Sequence, residues 1–229
     1  MINDFAWIED DHYEQIKNKK LLNMKKYDKT QILKIEEGFK YFRDLYSYGV
    51  LSQLSDDELM KRIYAWNTKG LIYDCIENDK YKQYGASGIR GTNNIYRIQK
   101  GDWYRGDYKI DLDKEKYDDL LSFARGLVAS LELIEIAGEI EKIEEYYELE
   151  REIREYIGNK IENNWVQKAF HMLYPSLFAE IYDSGGKRNW QKNALCAFQV
   201  KPHSKSFIMN GQLALIARAM GYENISETK

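Results

Sequence analysis

The stretch from residue 87 to 109 holds the side chains best suited to a polyanion. Arg90, Arg97, Lys100, Arg105 and Lys109 alternate there with Tyr96, Trp103, Tyr104 and Tyr108. Ammonium and guanidinium groups neutralise phosphates, and flat rings stack on bases, including a base turned out of a duplex. Only Asp102 and Asp107 oppose the five cations, a local balance of five minus two, or +3, in a chain whose formal net charge is −3. The basic character is local, and a uniformly cationic nucleic-acid coat is excluded. The expected arrangement places Tyr96, Trp103 and Tyr104 as stacking residues and Arg90, Arg97, Lys100, Arg105 and Lys109 around them as the cations. The competing expectation is a tyrosine-rich hairpin whose rings cover the core and whose charges face water.

Other residues with chemical potential are better explained without a ligand. Gly85, Gly88 and Gly91 fit no nucleotide fingerprint and read as turn glycines. Lys187, Arg188 and Lys192 beside Trp190, with Lys201, His203 and Lys205 further on, form a second basic cluster, suited to a phosphate backbone, an adjacent domain or plain solvent. Asp111 with Asp113, and Asp118 with Asp119, fall where a helix should begin, and negative charge there favours the helix dipole. His12, His171 and His203 are too few for a His-rich metal site, and no zinc is expected; His171 should pack and make one hydrogen bond. Cys75 and Cys196 stand far apart, which argues against a disulfide framework and a Cys-based zinc site and favours reduced, cytoplasmic thiols. No Ser-His-Asp or Cys-His set assembles from local spacing, and no cofactor is expected.

The elements that must position these residues are mostly helices. Both prolines, Pro175 and Pro202, lie in the last quarter, so long helices can run before them. Residues 4 to 48 read as two helices broken near Asp28, the second burying Phe39, Tyr41, Phe42, Leu45 and Tyr46. Ser55 and Glu58 have capping-box spacing, which predicts a helix from about 55 to 68 carrying Leu59, Ile63 and Trp66. Glycines punctuate residues 85 to 113 into a loop or β-hairpin region. A helix starts again at Lys114. Residues 131 to 162 hold 11 acidic against 4 basic residues over an isoleucine-rich stripe, and predict one acidic amphipathic helix, with a coiled-coil contact to another subunit as the alternative to a solvated face. No basic leader with an apolar core opens the chain and no 18 apolar residues run together, so a soluble protein without a membrane span is expected.

The last quarter carries the most specific pattern. Lys168, His171, Leu173, Pro175 and Phe178 are followed by Trp190-Gln191, Pro202 and Gly211-Gln212. This order resembles the N-terminal, non-motor region of McrB-type AAA+ restriction GTPases, in which K-x-x-H-x-L-x-P-x-x-F, then W-Q, a proline and G-Q precede the motor. The resemblance covers roughly the last 60 residues. It departs from the whole family in one respect: no G-x-x-x-x-G-K-[ST] phosphate loop occurs, and Gly185-Gly186-Lys187-Arg188 lacks both the leading glycine and the hydroxyl residue. The chain is therefore not expected to be the motor. Its end at Glu223 to Lys229 falls where the resemblance places a motor junction, favouring a fragment of a longer protein over a complete small relative.

Independently of any family, Trp165, Ala169, Met172 and Leu173 share a helix face, and Pro175 ends that helix near Tyr174. Trp190, Ala194, Leu195 and Phe198, and then Leu213, Ile216, Ala217 and Met220, continue the helical spacing, so three short helices packing as a bundle are predicted. The chain then reads as mainly α: a helical domain over 1–164 with a small β-hairpin or loop insertion around 85–113, and a C-terminal helical bundle over 165–229. The expected function is that of a non-catalytic DNA-recognition or adaptor region in a modification-dependent restriction system. Its implied partners are DNA, with modified DNA among the candidates, an AAA+ GTPase domain or subunit and a nuclease. The alternative is a protein interaction module that docks on a motor or nuclease subunit and never touches DNA.

Overall fold

The computed structural model describes residues 29–84, 95–181 and 190–219. The first of the two helices expected before residue 48 lies outside these ranges. The second, α1 (Lys29–Tyr46), buries Ile35, Phe39, Phe42 and Tyr46 on one face, with Tyr41 and Leu45 half-buried at its edges. A single turn, α2 (Tyr48–Leu51), leads to α3 (Asp56–Tyr64). Glu58 accepts hydrogen bonds from the Ser55 backbone N–H (3.0 Å) and hydroxyl (2.6 Å), and so caps α3 as the spacing predicts. The helix stops four residues short of the predicted end. Ala65 forms a parallel bridge with Ile98, and Trp66 donates its N–H to the Ile98 carbonyl (2.8 Å), so pairing with a strand takes the chain out of helical geometry. After α4 (Leu71–Ile76) a 3-10 helix (Asp79–Tyr84) brings Tyr81 and Tyr84 against α1.

Three short strands, β1 (Tyr96–Gln99), β2 (Asp102–Arg105) and β3 (Tyr108–Ile110), form an antiparallel meander inside the stretch expected to be irregular or hairpin-like. The two-residue β1–β2 turn is Lys100-Gly101, both with positive φ (54° and 89°), the geometry whose twist matches the flanking strands. Asp113 caps α5 (Lys114–Ala137) by accepting from the Lys116 N–H at 2.7 Å, so the acid at this helix entry has a structural role.

The single acidic helix expected over 131–162 is in fact interrupted. α5 ends at Gly138, whose φ of 60° is open to glycine and costly to other residues; α6 (Ile143–Ile157) follows, then a second 3-10 helix (Gly158–Glu162). The isoleucine spacing persists across the break because Ile134, Ile140 and Ile143 all reach the same core. α5 and α6 therefore form a helical hairpin rather than one rod.

α7 (Asn164–Leu173) is the central helix, and residues 165 to 173 are all buried, not one face alone. It ends at Tyr174, before Pro175, as predicted. The remaining helices are α8 (Trp190–Ala197) and α9 (Ser206–Ala219). The three helices expected in the last quarter are present, and they share the core of the elements before them. α7 packs on α1 and α4, and Phe207, Ile208 and Leu215 of α9 join the same core as Phe39 and Phe42, while Leu195, Val200, Met209, Leu213 and Ile216 form a small satellite cluster. Cys75 lies in the main core and Cys196 is exposed on α8; neither is in a disulfide. No described helix is long and apolar enough to cross a membrane.

Candidate nucleic-acid interface

The pleat of the sheet sorts the predicted binding residues into two sets. Register pairs Tyr96 with Arg105, Ile98 with Trp103, and Trp103 with Ile110; it pairs Arg97 with Tyr104, and Tyr104 with Lys109. Tyr96, Ile98 and Trp103 pack against the core, Trp103 with its ring 5.4 Å from that of Tyr64. Two of the three expected stacking rings, Tyr96 and Trp103, are thus turned inward and half-buried. On the opposite face Arg97, Tyr104 and Lys109 make a row across all three strands.

That row continues beyond the sheet. The Arg97 guanidinium lies over the Trp66 ring at 4.7 Å and over the Tyr104 ring at 5.8 Å, so aromatic and cationic groups alternate as Trp66, Arg97, Tyr104, Lys109. Arg97 is also paired with Asp107 (3.0 Å), and its side chain is only 12% exposed, against 83% for Asp107. Lys109 meets Asp102 at 2.9 Å; the hydrogen bond and the charge of that carboxylate raise the lysine pKa. Lys100 is exposed at the β1–β2 turn and Arg105 at the end of β2, where its guanidinium lies 5.8 Å from the Tyr96 ring. Lys116 of α5 covers the same ring at 5.3 Å. Arg90 lies outside the described residues, as do the three turn glycines Gly85, Gly88 and Gly91.

Two participants, Trp66 and Lys116, were not among the sequence candidates. Trp66 was assigned to a helix face, and only the early end of α3 frees it to cover Arg97. The inward turn of Tyr96, though not that of Trp103, did leave a signal: Tyr96 and Ile98 alternate with Arg97 and Gln99, the period of a half-buried strand.

The second basic cluster lies only partly within the described residues. Lys187 and Arg188 fall outside the described residues, and Lys192 is exposed beside Trp190, itself 54% exposed. Lys205 is bound to Glu150 (2.7 Å), and His203 accepts from the Lys205 N–H and rests its ring against Tyr147.

Lys168, His171, Gln191 and Gln212 of the C-terminal pattern are tied into the fold. Lys168, 2% exposed, donates to the Tyr81 carbonyl (2.7 Å), and His171 hydrogen-bonds through Nδ1 to the Phe178 carbonyl. Gln191 donates to the Ile181 carbonyl (2.9 Å) and accepts from the Ser206 hydroxyl (2.7 Å). Gln212 donates to the Lys201 carbonyl and accepts from the His203 N–H, both at 3.1 Å. Each of these contacts satisfies a backbone or hydroxyl group that burial would otherwise strand. No protein-family model, curated protein or solved structure matches this chain.

Proposed function

We propose that this chain is a non-catalytic recognition or adaptor region of an McrB-like, modification-dependent restriction system, which meets DNA with the outer face of its sheet while GTPase and nuclease act from another domain or subunit. The observation that supports contact with DNA is the row in which Trp66, Arg97, Tyr104 and Lys109 alternate. It offers phosphate partners beside a ring able to stack on a base. Arg97 is too enclosed to reach far, so it props Tyr104, and Lys100 and Lys109 supply the phosphate contacts; Arg105, opposite Tyr96 in the register, lies on the other face. The Lys109–Asp102 pair is exposed on both sides (57% and 46%), and such a pair is worth about 0–1 kcal/mol, so a polyanion can replace the carboxylate at small cost. The restriction-system assignment rests on the ordered residues from Lys168 to Gln212.

Titration of methylated and unmodified duplexes against salt tests the DNA contact. Salt-sensitive binding at micromolar protein is expected. Replacing Lys100 and Lys109 by Ala should weaken it on every sequence and flatten the log–log salt dependence by about 0.9 for each lost contact. Absence of binding to either duplex, or an unchanged slope, counts against the interface.

A second reading is favoured by α6, whose outer face exposes Glu144, Glu148, Glu152 and Glu155 and would repel a polyanion. On this reading the chain docks on a motor or nuclease subunit without touching DNA. Co-purification with the GTPase or nuclease, together with silence in the duplex titration, would select it.

A further inference from the structure

The outer face of the sheet is recessed where it is aromatic. Trp66 and Tyr104 are both half-buried, and the Arg97 guanidinium that lies over both rings belongs to a side chain only 12% exposed. Rings set this deep do not enter a groove, so a base must come to them. Bases in an intact duplex are stacked on one another and show only their edges. Unpaired bases expose their flat faces, and those faces stack on an aromatic side chain whatever the sequence.

The charges on this face lead to the same ligand. Arg97 has Asp107 as its partner and Lys109 has Asp102, so with Lys100 at the β1–β2 turn there are three cations against two carboxylates, a balance of three minus two, or +1. Sequence-independent affinity for a duplex grows with the number of phosphates neutralised, and a nearly balanced face supplies little of it. Stacking needs no such excess. The pleat also sets Gln99, in register with Asp102, on the face that carries Arg97 and Tyr104. Its amide is donor and acceptor at once and suits the Watson–Crick edge of a base, an edge that pairing in a duplex hides.

We propose that the outer face of the sheet takes an unpaired stretch of DNA in preference to a duplex, with a base stacked on Tyr104, Gln99 on a base edge, and Lys100 and Lys109 on the flanking phosphates. This rests on the DNA contact proposed above and narrows its ligand. Arg97 steadies the Tyr104 ring and takes no phosphate.

Fluorescence anisotropy of one labelled DNA strand of about 12 nucleotides, free and annealed to its complement, tests it. The free strand should bind about tenfold more tightly than the duplex. Its salt dependence should be shallow, about 0.7 in log–log slope for each lysine contact. Tyr104→Phe, which keeps the ring, should preserve the preference. Tyr104→Leu, which removes it, should weaken the free strand about tenfold and the duplex little. Circular dichroism checks that both variants are folded. A duplex bound as tightly as the free strand overturns the preference and leaves the DNA contact standing. A preference that survives Tyr104→Leu in a folded protein overturns the stacking on Tyr104. Binding of neither form removes the DNA contact itself, and the preference falls with it.

Discussion

His171 is closed off inside the protein, 0% exposed, with its Nδ1 hydrogen-bonded to the Phe178 carbonyl. Burial lowers its pKa to about 4, helped by the charge of Lys168 and opposed by the carbonyl hydrogen bond. The folded value lies below the ordinary 6.5, so the folded chain prefers the neutral ring. The corresponding stability is fully present above pH 6.5 and is lost as the pH falls toward 4. The two values imply a loss of about 3 kcal/mol over that window. Urea unfolding at pH 7 and pH 4.5 should show it, and His171→Asn, which keeps a donor for Phe178, should reduce the pH dependence whatever it does to stability at pH 7. Lys100 offers a cleaner test of binding. It holds a φ of 54° at the first position of a two-residue turn, where asparagine is favoured over lysine. Lys100→Asn should therefore leave the melting temperature equal or slightly raised while weakening duplex binding; a loss of both would place Lys100 in the fold rather than the interface.

Among the elements, α9 depends on a residue far from it in sequence. Glu162 accepts from the backbone N–H groups of Ser206 (2.7 Å) and Phe207 (3.2 Å), satisfying donors that the first turn of α9 cannot satisfy internally. Arg154 holds Glu162 in place at 2.6 Å and also pairs with Glu150, which meets Lys205 just before α9. Replacing Glu162 by Ala should cost roughly 0.5–2 kcal/mol, the range for a lost cap, and should speed amide exchange at Ser206 and Phe207 first. Uniform acceleration across the chain would deny it a capping role. The start of α3 and the end of α7 were legible in the sequence because they are set locally, by Ser55 with Glu58 and by Pro175. The break at Gly138 was not, since isoleucines on both sides of a loop can serve one core and keep their period. Trp66 was missed for a related reason: the end of α3 is decided by Ile98, more than thirty residues away.

At the scale of the molecule, the boundary suggested at residue 164 does not interrupt the core, because Phe170, Met172, Phe207 and Leu215 pack in one cluster with Phe42, Ile63 and Leu127. Removing everything after residue 164 would expose that cluster and leave cavities where fully enclosed side chains had been, each large truncation costing about 2–5 kcal/mol. The segment 1–164 alone should lack a cooperative thermal transition in circular dichroism; a sharp melt would restore two independent domains. The candidate interface was readable in composition, as cations beside rings, but not in orientation. Which rings point outward depends on the strand register, and Tyr104 is distinguished from its neighbour Trp103 only by the pleat.

The two thiols differ in a way that makes the molecule its own clock. Cys196 sits at the surface of α8, whereas Cys75 is 1% exposed and burial pushes its thiol pKa far up. An alkylating dye should therefore capture one sulfur at once and the second only when the interior breathes. The lag between those two labelling events would time the opening of the core in an unmutated chain.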